Sequence, residues 1–229
     1  MPLLLRMLVF QRKRTSTGLV MYALYLYFLG LSFRSTAKAL DPFIERRSHV
    51  AVWNWVQLFH PNKFYLKRSR VTAFIIDETM LQIGSDYAWL WVAIEPIHKQ
   101  VLGVYVSRHR NMLVAESFLR SLIKIYGKHT VYSDGGSWYP EACHHLGLKH
   151  LLHSPLEKSI IERSVEYFKD RTENFDDYYP GCRHNNNIEY DLTHVHNWLG
   201  LFAFMHNADI LHIKFMKLVR LMRGKKSLT

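Results

Sequence analysis

Cysteine is scarce in this chain: 229 residues hold only Cys143 and Cys182, and neither belongs to a C-x-x-C pair. A disulfide framework and a zinc ribbon are thereby excluded, and reduced thiols in a cytoplasmic protein are expected. Acids are also few, 19 against 30 lysines and arginines, which leaves a formal net charge of +11. A surplus of this size suits a nucleic acid or an anionic membrane surface, though a merely basic globular protein has the same balance. There is no glycine-rich phosphate loop, so no nucleotide cofactor is expected, and there is no internal repeat or low-complexity tract. Nor is there a long apolar run. The nearest, residues 18–33 between Arg14 and Arg34, is shorter than the roughly 20 residues a membrane helix needs. No small-residue cleavage site follows it, so the run reads as the buried first helix of a small helical domain.

What is present divides by period. Residues 1–17 form a basic arm containing Arg12-Lys13-Arg14. Residues 18–62 read as helices: Ser32 caps one running to about Leu40, and Ser48 caps another over His49 to Phe59, with Val52, Val56 and Phe59 facing inward. Pro42 and His60-Pro61-Asn62 break the pattern, and residues 63–70 form a basic linker. From Val71 the period becomes that of strands, over Val71–Asp77, Tyr87–Glu95 and Val101–Ser107, an expected antiparallel meander. An amphipathic helix over Asn111–Tyr126 follows, with Leu113, Ala115, Phe118, Leu119 and Leu122 near one stripe. Then come a short strand at Thr130–Ser133, a helix at Trp138–Leu146 and a strand within Leu148–Leu152. Ser154-Pro155-Leu156-Glu157 is a helix start, with a capping serine, proline at the first helical position and glutamate three residues after the cap. That helix is expected to reach about Thr172 and to end before Asp176–Gly181, and residues 188–222 are helical again. The whole is an α/β protein: a mixed sheet flanked by helices over residues 71–210, preceded by a small all-α domain and followed by a basic tail at 211–229.

Three acids stand out. Asp77 follows the apolar run Phe74-Ile75-Ile76, Asp134 follows Val131-Tyr132-Ser133, and Glu162 lies in the capped helix. Each has a plain reading, as a turn residue beside Glu78, as part of the turn Ser133-Asp134-Gly135-Gly136, and as a solvated helix charge. Together they suggest more. In a mixed sheet of this order the first and fourth strands can lie side by side, bringing Asp77 and Asp134 together beneath the helix that carries Glu162. Carboxylates that close need a cation, and an all-oxygen set suits Mg²⁺ or Mn²⁺. Such a site can activate water and stabilise a leaving oxygen in phosphoryl transfer.

These residues carry a resemblance. Phe74-Ile75-Ile76-Asp77-Glu78-Thr79 and Ser133-Asp134 resemble the first two catalytic motifs of prokaryotic insertion-sequence transposases of the acid-triad (DDE) type. Trp89-Leu90-Trp91-Val92-Ala93-Ile94 with Glu95 resembles the next strand, where that family often has aspartate, and Ser107-Arg108-His109-Arg110 with Ala115-Glu116-Ser117-Phe118-Leu119 resembles its strand-to-helix junction. Tyr22-Ala23-Leu24-Tyr25-Leu26-Tyr27 with Leu31-Ser32-Phe33-Arg34, and Val52-Trp53-Asn54-Trp55-Val56, resemble its N-terminal helix-turn-helix. For the third acid, Glu157, Glu162 and Glu166 share one helix, and the family places a basic residue seven positions after the catalytic glutamate. Only Glu162 has one, Lys169, and two helical turns put the pair on one face, where the lysine would hold a DNA phosphate. Two departures stand beside this: Lys158-Ser159 replaces the family's paired asparagines, and the 27 residues between Asp134 and Glu162 are fewer than is usual there.

The resemblance implies an RNase H-like core, a catalytic triad Asp77, Asp134 and Glu162 holding Mg²⁺ or Mn²⁺, and transposition by strand cleavage and attack of the freed 3′-hydroxyl. It implies double-stranded DNA as partner, both terminal inverted repeats and target, in a synaptic complex of a homodimer or higher oligomer, nucleoid-associated in a prokaryotic cytoplasm. A decayed copy acting only as a DNA-binding protein or repressor is the alternative. In the helical domain, Arg46 and Arg47 before His49–Phe59, and Lys67, Arg68 and Arg70 after it, would contact phosphates, with His49, Asn54 and Gln57 as base readers. A packing or dimerisation unit is the competing reading of that domain. The six tryptophans read as core. His144, His145, His150, His153, His194 and His196 lack a regular zinc spacing and read as structural or phosphate-facing.

Overall fold

The computed structural model describes residues 15–41, 46–59, 70–83, 86–173 and 188–214. The chain divides into two compact units: Met1–Leu66 with Gly200–Thr229, and Lys67–Leu199. The expected arm up to residue 14, the linker residues 63–69, Asp176–Gly181 and the tail from residue 215 lie outside the described residues, as do Lys67, Arg68 and Cys182.

In the first unit, α1 (Thr17–Phe28), α2 (Phe33–Leu40) and α3 (His49–Leu58) each begin at a serine cap. The Ser16, Ser32 and Ser48 hydroxyls accept from the amides of Leu19, Ser35 and Ala51 at 3.1 to 3.2 Å. Each satisfies one of the amide donors that a helix leaves open at its start. Helix α1 buries Leu19, Val20, Met21, Ala23, Leu24, Tyr27 and Phe28, which is why its sequence is apolar nearly all round. No described helix is long and apolar enough to cross a membrane. On α3 the expected inward residues Val52 and Val56 are buried, as is Phe59 just beyond it. The opposite strip is Val50, Asn54, Gln57 and Leu58, exposed or half-exposed. The chain from Gly200 onward groups with these helices: Phe202 lies 5.5 Å from Phe28 and Phe204 lies 5.2 Å from Phe59, ring centre to ring centre.

The second unit is a five-stranded mixed sheet in the order β3-β2-β1-β4-β5. Its strands are β1 (Ala73–Ile83), β2 (Asp86–Ile94), β3 (Val101–Ser107), β4 (Thr130–Ser133) and β5 (His150–Leu152). The first three form an antiparallel meander, and β4 and β5 join β1 in parallel. This is the RNase H-like arrangement that the resemblance implied. Helices α4 (Met112–Tyr126) and α5 (Trp138–Leu146) pack on one face, around Phe74, Ile76, Trp91, Ala93, Phe118, Leu119, Leu122 and Tyr139. A Cβ at Gly103 would stand 2.6 Å from Leu122, so glycine lets α4 approach β3 closely. Helix α6 (Pro155–Glu173) buries Ile161, Val165 and Phe168, one stripe at helical spacing, and contacts β1. Its start is the expected capping box, the Ser154 amide donating to Glu157 Oε2 at 2.8 Å. Helix α7 (Ile188–Ile210) ends in a turn at Leu211 and His212, short of the expected helical run to 222.

Two local expectations are corrected. Strand β1 does not stop at Asp77 but runs on to Ile83, because residues 78–83 keep pairing with β2. Leu113, placed on the inward stripe of α4, is 69% exposed: it lies in the first turn, two positions out of phase with Ala115.

Candidate metal centre

The ladder between β1 and β4 places two of the acids. Its last rung pairs Ile75 with Tyr132. Asp77 and Asp134 each lie two residues beyond it, so in a parallel register they sit abreast on the same face. Strand β1 continues through Asp77, whereas β4 ends at Ser133 and the chain turns. Gly135, at φ +90°, supplies the backbone angle of that turn, and the Gly136 amide donates to Asp134 Oδ1 at 3.0 Å. The turn reading of Asp134 therefore holds, and the turn leaves its carboxylate beside Asp77.

A third carboxylate joins them. Asp77, Glu78 and Asp134 each offer an oxygen, and these atoms all lie within 4.8 Å of one another. The Glu78 amide donates to Asp77 Oδ1 at 2.9 Å. Burial pushes the Asp77 carboxyl up to about 7, aided by the charges of Glu78 and Asp134 and opposed by the Glu78 amide and Arg110. A carboxyl so placed holds a proton near neutrality unless a cation takes the proton's place. Hard oxygen donors this close together fit a divalent cation such as Mg²⁺ or Mn²⁺.

Glu78 differs from the two aspartates. The pleat turns it to the other face of β1, with its cross-strand partner Trp91, among the core residues under α4 and α5. Its side chain is fully buried, and Oε1 accepts from Arg110 Nε at 2.7 Å and Nη2 at 2.5 Å. Oε2 accepts from the Tyr139 hydroxyl. Burial, then the charge of Glu78, drive the Tyr139 phenol well above its ordinary range, so it stays a donor. The Arg110 guanidinium lies between two indoles, 4.6 Å from the Trp89 ring centre and 4.2 Å from that of Trp138. Those two tryptophans hold a cation, a use that the expectation of tryptophan as core does not include.

The third expected ligand stands apart from this cluster. Glu162 is exposed on α6, 3.8 Å from Lys158 one turn earlier, and its carboxylate is not among the oxygens that converge. Lys169 and Glu166 are exposed on the same helix, while Glu157 is held by its cap. His153 follows β5, its amide bonded to the Ser133 carbonyl at 2.8 Å. Burial holds its imidazole below the usual range, against the pull of Asp134 and Glu157. Glu95, where the family often has aspartate, is buried away from the cluster, accepting from Thr72 Oγ1 at 2.7 Å and the His98 amide at 2.6 Å. Burial alone would raise its carboxyl, and those hydrogen bonds bring it below the usual value.

In the first unit, Arg34 and Lys38 of α2 and Arg46, Arg47 and His49 line a cleft of about 370 Å³ with Asp41 and Ser48. Arg46, His49 and Asn54 are exposed, Arg47 and Gln57 are half-exposed, and Arg70 is exposed before β1. Sequence reasoning did not select Glu78, Arg110 or Tyr139 as site residues. Glu78 had one signal, adjacency to Asp77 in a strand, and Arg110 lay in the quoted junction motif. Tyr139 had none.

A family model described as a DDE domain (DDE_Tnp_IS240) matches residues 71–178. An uncharacterized protein of Methanocaldococcus jannaschii is 33% identical over 203 residues, covering 87% of this chain and 90% of that protein. Among solved structures, a simian T-cell lymphotropic virus intasome in complex with PP2A regulatory subunit B56 gamma is similar at a TM-score of 0.44 and 17% identity, over 77% of this chain. This chain spans 64% of that one's length. The HTLV-2 integrase catalytic core domain in complex with magnesium has a TM-score of 0.41 at 17% identity, over 56% of this chain and 85% of that one. The catalytic core domain of BIV integrase has a TM-score of 0.41 at 18% identity, over 56% and 82%.

Proposed function

We propose, from the DDE domain matched over residues 71–178, that the chain is a transposase that binds the ends of its own element, cleaves a strand and joins the freed 3′-hydroxyl to target DNA. The observation that carries this reading is the shared offset of Asp77 and Asp134 two residues beyond one rung of a parallel ladder, inside the segment that matches the DDE domain.

Asp77 and Asp134 would hold the metal, and Glu162 of α6 is the third ligand that the resemblance implies. A bound divalent cation supplies an activated water or hydroxyl and stabilises the leaving oxygen of an in-line displacement. The protein's share is positioning and charge. The ladder fixes the two aspartates, and Lys169, two turns along α6 from Glu162, holds a phosphate beside them. In the first unit, the cleft formed by Arg34, Lys38, Arg46, Arg47 and His49 takes the DNA backbone. Asn54 and Gln57, on the outward strip of α3, read bases in the manner of a helix-turn-helix, and Arg70, with Lys67 and Arg68, adds phosphate contacts. Holding two DNA ends calls for a homodimer or larger assembly.

The outward position of Glu162, paired with Lys158, favours one second reading: a chain that still binds element ends but no longer cuts them. One experiment decides. A labelled duplex carrying the element's terminal repeat is incubated with Mg²⁺ and the protein, wild type or Asp134→Asn, and cleavage and joining are followed on denaturing gels. The transposase reading expects products from wild type alone. Equal products from both proteins would sink the site assignment, and retarded but uncut DNA with wild type would establish the second reading.

A further inference from the structure

Three carboxylates converge midway along β1, where β4 ends, but their surroundings are unequal. Asp77 and Asp134 share one face of the sheet, and Glu78 is turned to the other. Both oxygens of Glu78 already have donors, two nitrogens of Arg110 on one and the Tyr139 hydroxyl on the other. A metal ion taking Glu78 would have to break a buried, charge-assisted bond to reach it. Nor is Arg110 free to move aside. The two indoles hold its guanidinium plane, one from β2 and one from α5.

Resting on the metal-dependent reading above, we infer that Glu78 is a positioning residue and not a metal ligand: Arg110 and Tyr139 clamp its carboxylate away from the ion, and the fixed Glu78 amide in turn orients Asp77. The link to Asp77 is the 2.9 Å bond from the Glu78 amide to Asp77 Oδ1. The same arrangement makes Arg110 and Tyr139 positioning residues, acting through Glu78.

The test is Mn²⁺ binding to the full chain, with free ion read by electron paramagnetic resonance and strand cleavage measured alongside. Asp77→Asn and Asp134→Asn set the scale for loss of a ligand, with Kd rising by more than the roughly 10–100-fold that loss of a ligand's hydrogen-bond partner costs. Glu78→Gln alone leaves the Arg110 charge uncompensated and weakens binding. The charge-matched pair Glu78→Gln with Arg110→Gln restores Kd to within about threefold of wild type, a rescue open to a group outside the coordination shell. If the pair stays as weak as Asp77→Asn, Glu78 is a ligand and the inference is overturned. If neither aspartate variant changes Mn²⁺ binding, the metal-site reading itself fails, and the inference with it. Should the paired variant not fold, as judged by its circular dichroism melt, Tyr139→Phe decides. The clamp expects a nearly unchanged Kd with slower cleavage, whereas weakening by about tenfold or more, the cost of losing a ligand's hydrogen-bond partner, would mean that Glu78 is a ligand.

Discussion

The two charged regions of this molecule are assembled in opposite ways. At the end of the sheet, Asp77, Glu78, Arg110, Asp134 and Tyr139 come from four separate segments between residues 77 and 139, and most of their polar atoms are bonded to one another. On α2 and α3, Arg34, Lys38, Arg46, Arg47 and His49 come from one stretch of sixteen residues and line an open cleft. The first region exists only when the whole sheet is formed, and its Glu78 and Arg110 charges hold one another. The second needs a pair of capped helices, and Arg34, Lys38, Arg46 and His49 in it are exposed. Chemistry requires the first kind of arrangement, because a reacting group must be held to a fraction of an ångström. Attraction of a polyanion requires only the second.

The largest break in this contrast is expected from Asp77→Asn. It should lower Mg²⁺-dependent cleavage by about a thousandfold or more, since metal-borne charge stabilisation is worth several kcal/mol. Gel retardation of the same duplex should stay near wild type, because the α2–α3 cleft is untouched. Next is Arg110→Ala, which leaves Glu78 buried and unpaired. Urea unfolding should show a loss of about 3–5 kcal/mol, as for one partner removed from a buried ion pair. Arg46→Ala, an equally conservative loss of charge in the other region, should change stability by less than about 0.5 kcal/mol.

A pH titration sharpens the comparison further. Asp77 has its folded value raised to about 7 from 3.8, so between those values the metal-free native state holds a proton that the unfolded chain has released. Its contribution to stability is fully present below 3.8 and is lost as pH rises through about 7. Melting of metal-free wild type should therefore weaken across that window, and Asp77→Asn should flatten the dependence. The smallest effect belongs to the cleft. Arg46→Ala should weaken duplex binding similarly for every sequence and reduce the salt slope by about one. A change confined to one sequence would assign Arg46 to base reading instead.

Much of the second unit was legible because its signals are local and periodic. The strand–turn alternation from Val71 to Ser107, the amphipathic run from Asn111, the Ser154 cap and the apolar tips before Asp77 and Asp134 each announce an element, and the order of elements then determines which strands adjoin. The Asp77–Asp134 pairing followed from that order alone. The clamp was hidden because its partners lie 32 and 61 residues from Glu78, and no pattern in a single chain marks a contact at that range. The end of β1 was misplaced because an acid after an apolar run resembles a strand terminus. Here the run goes on as a ribbon paired only with β2. The position of Glu162 shows the converse: spacing from Lys169 selects a residue within a helix, but it does not say which way the helix turns it.

The common offset of Asp77 and Asp134 from the Ile75–Tyr132 rung has a consequence for how copies of such a gene decay. Loops around the sheet can lengthen or shorten by whole residues while the two aspartates stay abreast. A single codon gained or lost between Ile75 and Asp77, or between Tyr132 and Asp134, would instead move one acid to the opposite side of the sheet. Under the proposed function, an in-frame lesion of three nucleotides would then abolish cleavage while leaving a folded, basic protein behind.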